Sequence, residues 1–127
     1  MRVDLIHSEM LFREDGVLQI NVRDHNYITK DLKEINAAQG KITNGGKCLV
    51  LVIGSEFANI DSEAREYMAS DESTQYSIAE AYVIRSLAHK ILANFYLKVN
   101  KPGVPTKFFS DAKLAEEWLR TYLPSVL

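Results

Sequence analysis

Only one cysteine, three prolines and three histidines occur among the 127 residues of this chain. A lone thiol closes no disulfide within the chain, so stability must come from a packed core, and a reducing compartment is expected. At this length a domain buries about two thirds of the surface its unfolded chain exposes, enough for a core without staples. Cys48 opens an apolar run, where a free cysteine serves as a small buried apolar group. No window approaches the ~20 apolar residues of a membrane-spanning helix. Arg2, Asp4 and Glu9 interrupt any apolar leader near the amino end, and a cytoplasmic protein is expected. Net charge is also scarce, at -2. Without an excess of lysine and arginine to displace counterions, neither nucleic acid nor an anionic membrane is an expected partner.

The usual catalytic and cofactor signatures are missing too. The chain has no CxxC, HExxH, GxSxG or GxGxxG. The segment "GKITNGGKC" resembles a phosphate loop in composition only. Counting from Gly40, Gly46 stands where the lysine is needed, and Cys48 follows Lys47 where a serine or threonine should hold magnesium. It also precedes a strand, so it reads as a turn. His7, His25 and His89 fall in a strand, a loop and a helix, and none has a metal-ligand neighbour in sequence. No metal, cofactor or catalytic group is expected from these patterns. Lys90, Lys98 and Lys101 make a small basic group near Phe95 and Tyr96, but a nucleic-acid surface needs more charge than this.

What the chain does have is alternating periodicity. Residues 3–13 and 17–23 read as two strands of a hairpin turning at Asp15-Gly16. Leu18, Ile20 and Val22 alternate with polar residues, which buries one face. "TKDLKEINAAQGKI" is a helix by the spacing of Leu32, Ile35, Ala38 and Ile42. Thr29 or Asp31 is placed to cap it, and Gly40 is placed to end it. "KCLVLVI", residues 47–53, reads as a central strand buried on both faces. A second helix starts near Asp61 or Ser62, followed by a polar stretch. Residues 79–84 form a further strand. A third helix, "SLAHKILANFYLKV", carries an apolar stripe of Leu87, Ala88, Ile91, Leu92, Phe95 and Val99, expected to face the core. "NKPGVP" breaks it. "TKFF" is a last strand, and "SDAKLAEEWLRTYL" a last helix, with Leu114, Trp118 and Tyr122 inward. Strand and helix alternate, so the expected fold is a single α/β domain over residues 1–127. It has a five-stranded, mixed, mostly parallel sheet and four main helices.

The one junction with chemical interest is "EFANIDSEAREYM". A helix start presents unpaired N–H groups and a partial positive charge. Asp61 and Ser62 suit a plain cap. A phosphate on Ser62 is also well placed there and adds close to two negative charges.

That Asp-Ser, opening the helix after the central strand, resembles the STAS domain, the family of anti-sigma-factor antagonists and of the cytosolic parts of sulfate transporters. Its usual motif is Asp-Ser, then Ser or Thr, then Gly. Here Glu63 and Ala64 stand at the last two places. "ANFYLKVNKPGVPTKFFSDAKLAEEWL", with "IDSEAREYMA" upstream, is similar to bacterial STAS-like proteins. The resemblance implies a STAS-like sandwich and a non-enzymatic regulatory or protein-interaction module. It implies Ser62 as phosphoacceptor, Asp61 as its flanking acid, and a working surface of Asn59, Glu63 and Glu66. The implied partner is a serine kinase, an anti-sigma-like factor or a second copy of the chain. The alternative implied by the same sandwich is a carrier or sensor of a small apolar, lipid-like ligand, held under the helices by Tyr67, Met68, Ile91, Phe95 and Tyr96. A carrier of that kind calls for a cavity of ~300 Å³ or more.

Overall fold

A computed structural model describes residues 1–123. The expected domain runs to residue 127, and its last four residues lie outside the described ones. The chain forms β1 (Arg2–Asp4), β2 (Ser8–Phe12), β3 (Val17–Val22), β4 (Asn26–Tyr27), α1 (Thr29–Ile42), β5 (Cys48–Ile53), β6 (Asn59–Ile60), α2 (Ser62–Met68), α3 (Asp71–Thr74), β7 (Ser77–Val83), α4 (Leu87–Phe95), a π-helical turn (Tyr96–Asn100), β8 (Thr106–Phe109) and α5 (Ala112–Arg120). One mixed, mostly parallel sheet has the order β1-β2-β3-β5-β7-β8, and β4 pairs with β6 apart from it. The α/β class is as the sequence implies. The main sheet has six strands rather than five.

The extra strand comes from a reversal at Leu5–His7 that no glycine or proline announces. Leu5 N–H donates to the Ser8 carbonyl at 2.8 Å. The Arg23 guanidinium holds the Leu5 and Ile6 carbonyls at 2.6 and 3.2 Å. A long-range side chain thus does what a turn residue ordinarily does, and β1 rather than β2 becomes the antiparallel edge. The Asp15-Gly16 turn forms as the sequence implies: Gly16 sits at φ +84, and Asp15 Oδ1 accepts the Val17 N–H at 3.2 Å.

β3, β5, β7 and β8 are parallel and follow one another in a single direction across the sheet. Right-handed crossovers that all step the same way place their connecting helices on one face. α1, α2 and α4 therefore share a face, and α5 folds back onto the other. The α5 face is sealed. Ala79 and Ala81 of β7 meet Ala115 and Leu119 of α5, all with almost no exposure. Small residues on both sides let helix and sheet approach closely. Trp118 and Tyr122 pack beside them, whereas Leu114, expected inward, is half exposed. Each large apolar side chain buried here contributes roughly 1.5–3 kcal/mol.

α1 runs past Gly40 to Ile42 and ends at Thr43, where Asn44 and Gly45 take positive φ. Its start is held by Asp31, which accepts the Ile28 N–H at 2.9 Å. Cys48 is buried beside Gln39, and burial pushes its thiol up to about 11, as an inert core thiol requires.

Candidate functional site

The face under α1, α2 and α4 is not sealed. A cavity of about 200 Å³ remains there. Its walls are largely apolar: Val50 and Val52 of the sheet, Ile35 of α1, Met68 of α2 and Leu92 of α4. Its floor is polar, and the reason lies in β7. Between Cys48 and Leu49 the register shifts, so that Ser77 pairs with Cys48 and Ala79 with Leu49. Ile78 is the extra residue, and a bulge of this kind re-aims side chains. Ser77 and Glu80 consequently meet, although strict alternation would part them.

Ser77 donates to Glu80 Oε2 at 2.7 Å and Tyr82 to Oε1 at 2.8 Å. Gln39 of α1 donates to Ser77 Oγ at 3.2 Å and to the Tyr76 carbonyl at 2.9 Å. Glu80 is 6% exposed. Burial raises its pKa above the ordinary carboxyl value, while the two hydroxyl hydrogen bonds pull the other way without cancelling it. The Tyr82 hydroxyl is pushed up by burial and then by the charge of Glu80. Tyr82 stacks on Phe108 with centroids 4.9 Å apart, and Tyr96 meets Phe108 edge-on at 6.1 Å.

Two polar atoms of the lining residues are buried with no hydrogen-bond partner among the described residues, the Tyr96 hydroxyl and Asn36 Oδ1. Tyr96 is 1% exposed. It begins the π-helical turn, in which the Lys101 N–H reaches back five residues to the Tyr96 carbonyl at 3.2 Å. Such turns recur at functional positions because they rotate side chains off the regular helical spacing.

Of the five residues expected to line a cavity, Met68 and Tyr96 do so. Tyr67 does not; its hydroxyl donates to Glu72 at 2.5 Å. Ile91 and Phe95 do not either. They are 63% and 48% exposed, and Leu87 and Val99 are similarly open. Of the stripe expected to face the core, Leu92 does turn inward, while its other large members face outward. The helix packs inward through His89, Leu92, Ala93 and Tyr96 instead. Ser86 caps it by accepting the His89 N–H at 3.1 Å, and His89 Nε2 lies 2.8 Å from the Ala58 carbonyl. Arg65 of α2 donates to the Ile60 carbonyl at 2.7 Å, and its guanidinium lies over the Phe95 ring at 5.9 Å.

Ser62 is exposed at the first position of α2. Asp61 is the cap, accepting the Ala64 N–H at 2.8 Å, so a carboxylate already occupies the position an anion would take. Glu63 and Glu66 are exposed on the same short helix, and Asn59 is exposed on β6, where it also borders the cavity. The histidines, scattered in sequence, are not all scattered in space. His7 and His25 approach with ring centroids 5.5 Å apart, beside Asp31 and Glu34. Ligand-type atoms of His7, Asp31 and Glu34 all lie within 4.8 Å of one another. His25, Asp31 and Glu34 are near in sequence, and His7 joins them only through long-range folding.

Residues 10–123 match the model of a domain of unknown function, DUF7793. The chain belongs to this family. No curated protein and no solved structure matches it. Among the described residues of this DUF7793 domain, no helix is long and apolar enough to cross a membrane.

The buried carboxyl sets a pH dependence. Glu80 holds its proton to higher pH in the folded domain than in the unfolded chain. Its contribution to stability therefore falls as pH rises from the ordinary value of 4.5 through the raised folded value. Urea unfolding across that range is expected to show Glu80→Gln gaining on the wild type as pH increases. Parallel stability curves for the two proteins would contradict the assignment.

Proposed function

We propose that this DUF7793 domain binds a small, largely apolar molecule carrying a polar group, in the cavity beneath α1, α2 and α4. The observation that carries this reading is the pair of unpartnered buried atoms, the Tyr96 hydroxyl and Asn36 Oδ1, on residues that line otherwise apolar walls. A buried polar group left without a partner costs about 1–3 kcal/mol, and a ligand that pairs with it recovers that cost. The volume restricts the class. A cavity of about 150 Å³ accommodates benzene. At about 200 Å³, this one suits a single ring with a polar substituent, smaller than the lipid-like cargo the STAS likeness implies.

Phenol and benzene separate the two halves of the proposal. Phenol is expected to raise the melting temperature more than benzene in the wild type. Tyr96→Phe is expected to stabilise the free domain by about 1 kcal/mol and to erase phenol's advantage. If neither compound shifts the melting temperature of the wild type, the cavity is not a ligand site of this class.

A second reading, a protein-interaction module switched at Ser62, draws support from the outward stripe of Leu87, Ile91, Phe95 and Val99. A row of large apolar groups in contact with water marks a docking face more often than a surface left by chance. The STAS likeness and the exposed hydroxyl of Ser62 favour the same reading, with a serine kinase or an anti-sigma-like factor as partner. Affinity capture with wild type, Ser62→Ala and Ser62→Asp, read by mass spectrometry, distinguishes the outcomes. A switch predicts a partner kept by the first two baits, lost by the third, and phosphate on Ser62 in the cell. Identical captures on all three and an unmodified Ser62 would sink it.

A further inference from the structure

We infer that His7, His25, Asp31 and Glu34 form a binding site for a divalent transition-metal ion, with zinc as the best match to the donor set. The site is independent of the apolar cavity and of the proposed ligand.

The four groups come from three separate segments. His7 sits in the β1–β2 reversal, His25 in the loop before β4, and Asp31 and Glu34 one turn apart on α1. Residues three apart on a helix project to the same side. His7 Nε2 lies 3.3 Å from Glu34 Oε2 and 3.9 Å from Asp31 Oδ1. His25 Nε2 lies 2.9 Å from Asp31 Oδ2. Ligand atoms of His7, Asp31 and Glu34 all fall within 4.8 Å of one another. Around a tetrahedral zinc with bonds of ~2.1 Å, neighbouring ligand atoms stand about 3.4 Å apart. The cluster reaches that spacing with small side-chain adjustments. His25 lies outside this trio but is hydrogen-bonded to Asp31 and one third exposed, and it serves as the fourth ligand only once its ring turns.

The surroundings favour a metal over two separate ion pairs. His7 is 3% exposed, and its Nδ1 lies 3.2 Å from the Ser8 hydroxyl. A partner on one ring nitrogen fixes the imidazole and directs the other toward the ion, as in many histidine metal sites. Tyr27 packs its ring edge-on against both histidines, at 5.6 and 4.8 Å, and donates to the His7 carbonyl at 2.5 Å. The His7 imidazole is thus held by neighbours that are not themselves ligands. Two imidazole nitrogens and two carboxylates suit zinc, whereas calcium and magnesium prefer oxygen throughout. Once His25 joins His7, Asp31 and Glu34 the coordination shell is closed, and the site clamps the β1–β2 reversal to α1.

Titration of the chelator-treated full chain with zinc chloride, followed by calorimetry and by metal analysis after dialysis, tests this. One zinc per chain is expected, with a higher melting temperature. His25→Ala and Glu34→Gln alter partly exposed groups and leave the circular dichroism spectrum unchanged. Each is expected to weaken binding by at least about tenfold. Binding only at millimolar zinc, or binding that neither variant weakens, overturns the site. Neither result depends on whether phenol or any other molecule enters the cavity.

Discussion

A carboxyl group inside the sheet governs the arrangement of this domain. Glu80 lies in a parallel strand with neighbours on both sides, on the face that α4 covers. A buried carboxyl needs hydrogen bonds, since burial without them costs several kcal/mol. Two hydroxyls supply them, and the bulge at Ile78 brings one of these into reach. Once that face carries Ser77, Glu80 and Tyr82, with Gln39 of α1 bonded to Ser77, an all-apolar helix surface is a poor lid. α4 accordingly turns its mixed side inward and its large apolar side chains outward. The imperfect fit between a polar floor and aliphatic walls leaves the cavity.

The two faces of the sheet show the contrast directly. Opposite Glu80, alanines of β7 and α5 meet without a gap. That side is close-packed, and a close-packed interior is little compressible. On the other side, α4 is both roof of the cavity and bearer of the outward stripe. A molecule that moves α4 changes the outer surface by no more than its differential affinity for the two positions. In this way the ligand reading and the interaction reading concern a single helix.

Much of this was legible in the residues. The run from Cys48 to Ile53 is apolar on both faces and is a central strand. The helix of Thr29–Ile42 forms over the expected stretch and passes Gly40, its expected end. The start of α2 at Ser62, capped by Asp61, follows from local backbone demands alone. Gly40 as a helix end and Leu114 as an inward residue are local misreadings; the larger failures are non-local. The β1–β2 reversal is made by Arg23, eighteen positions from the carbonyl it holds. The stripe of α4 obeys helical spacing, yet of its large members only Leu92 turns inward, because a stripe declares only that one side is apolar and not what the sheet beneath requires. His7 and Glu34 meet across 27 residues. Tyr96 and Met68 were placed correctly as lining, while Ile91 and Phe95 failed with the stripe they belong to.

The central claim is that the space above Glu80 admits a small apolar molecule while the α5 side does not. Methyl-labelled NMR during titration with indole tests it most directly. The account predicts shifts in methyls that line the cavity, those of Val50, Val52, Ile35 and Leu92 among them, with Leu49, Leu51 and Leu119 unmoved. Shifts gathered instead on Leu87, Ile91 and Val99, or none at all, would show that the cavity takes up nothing.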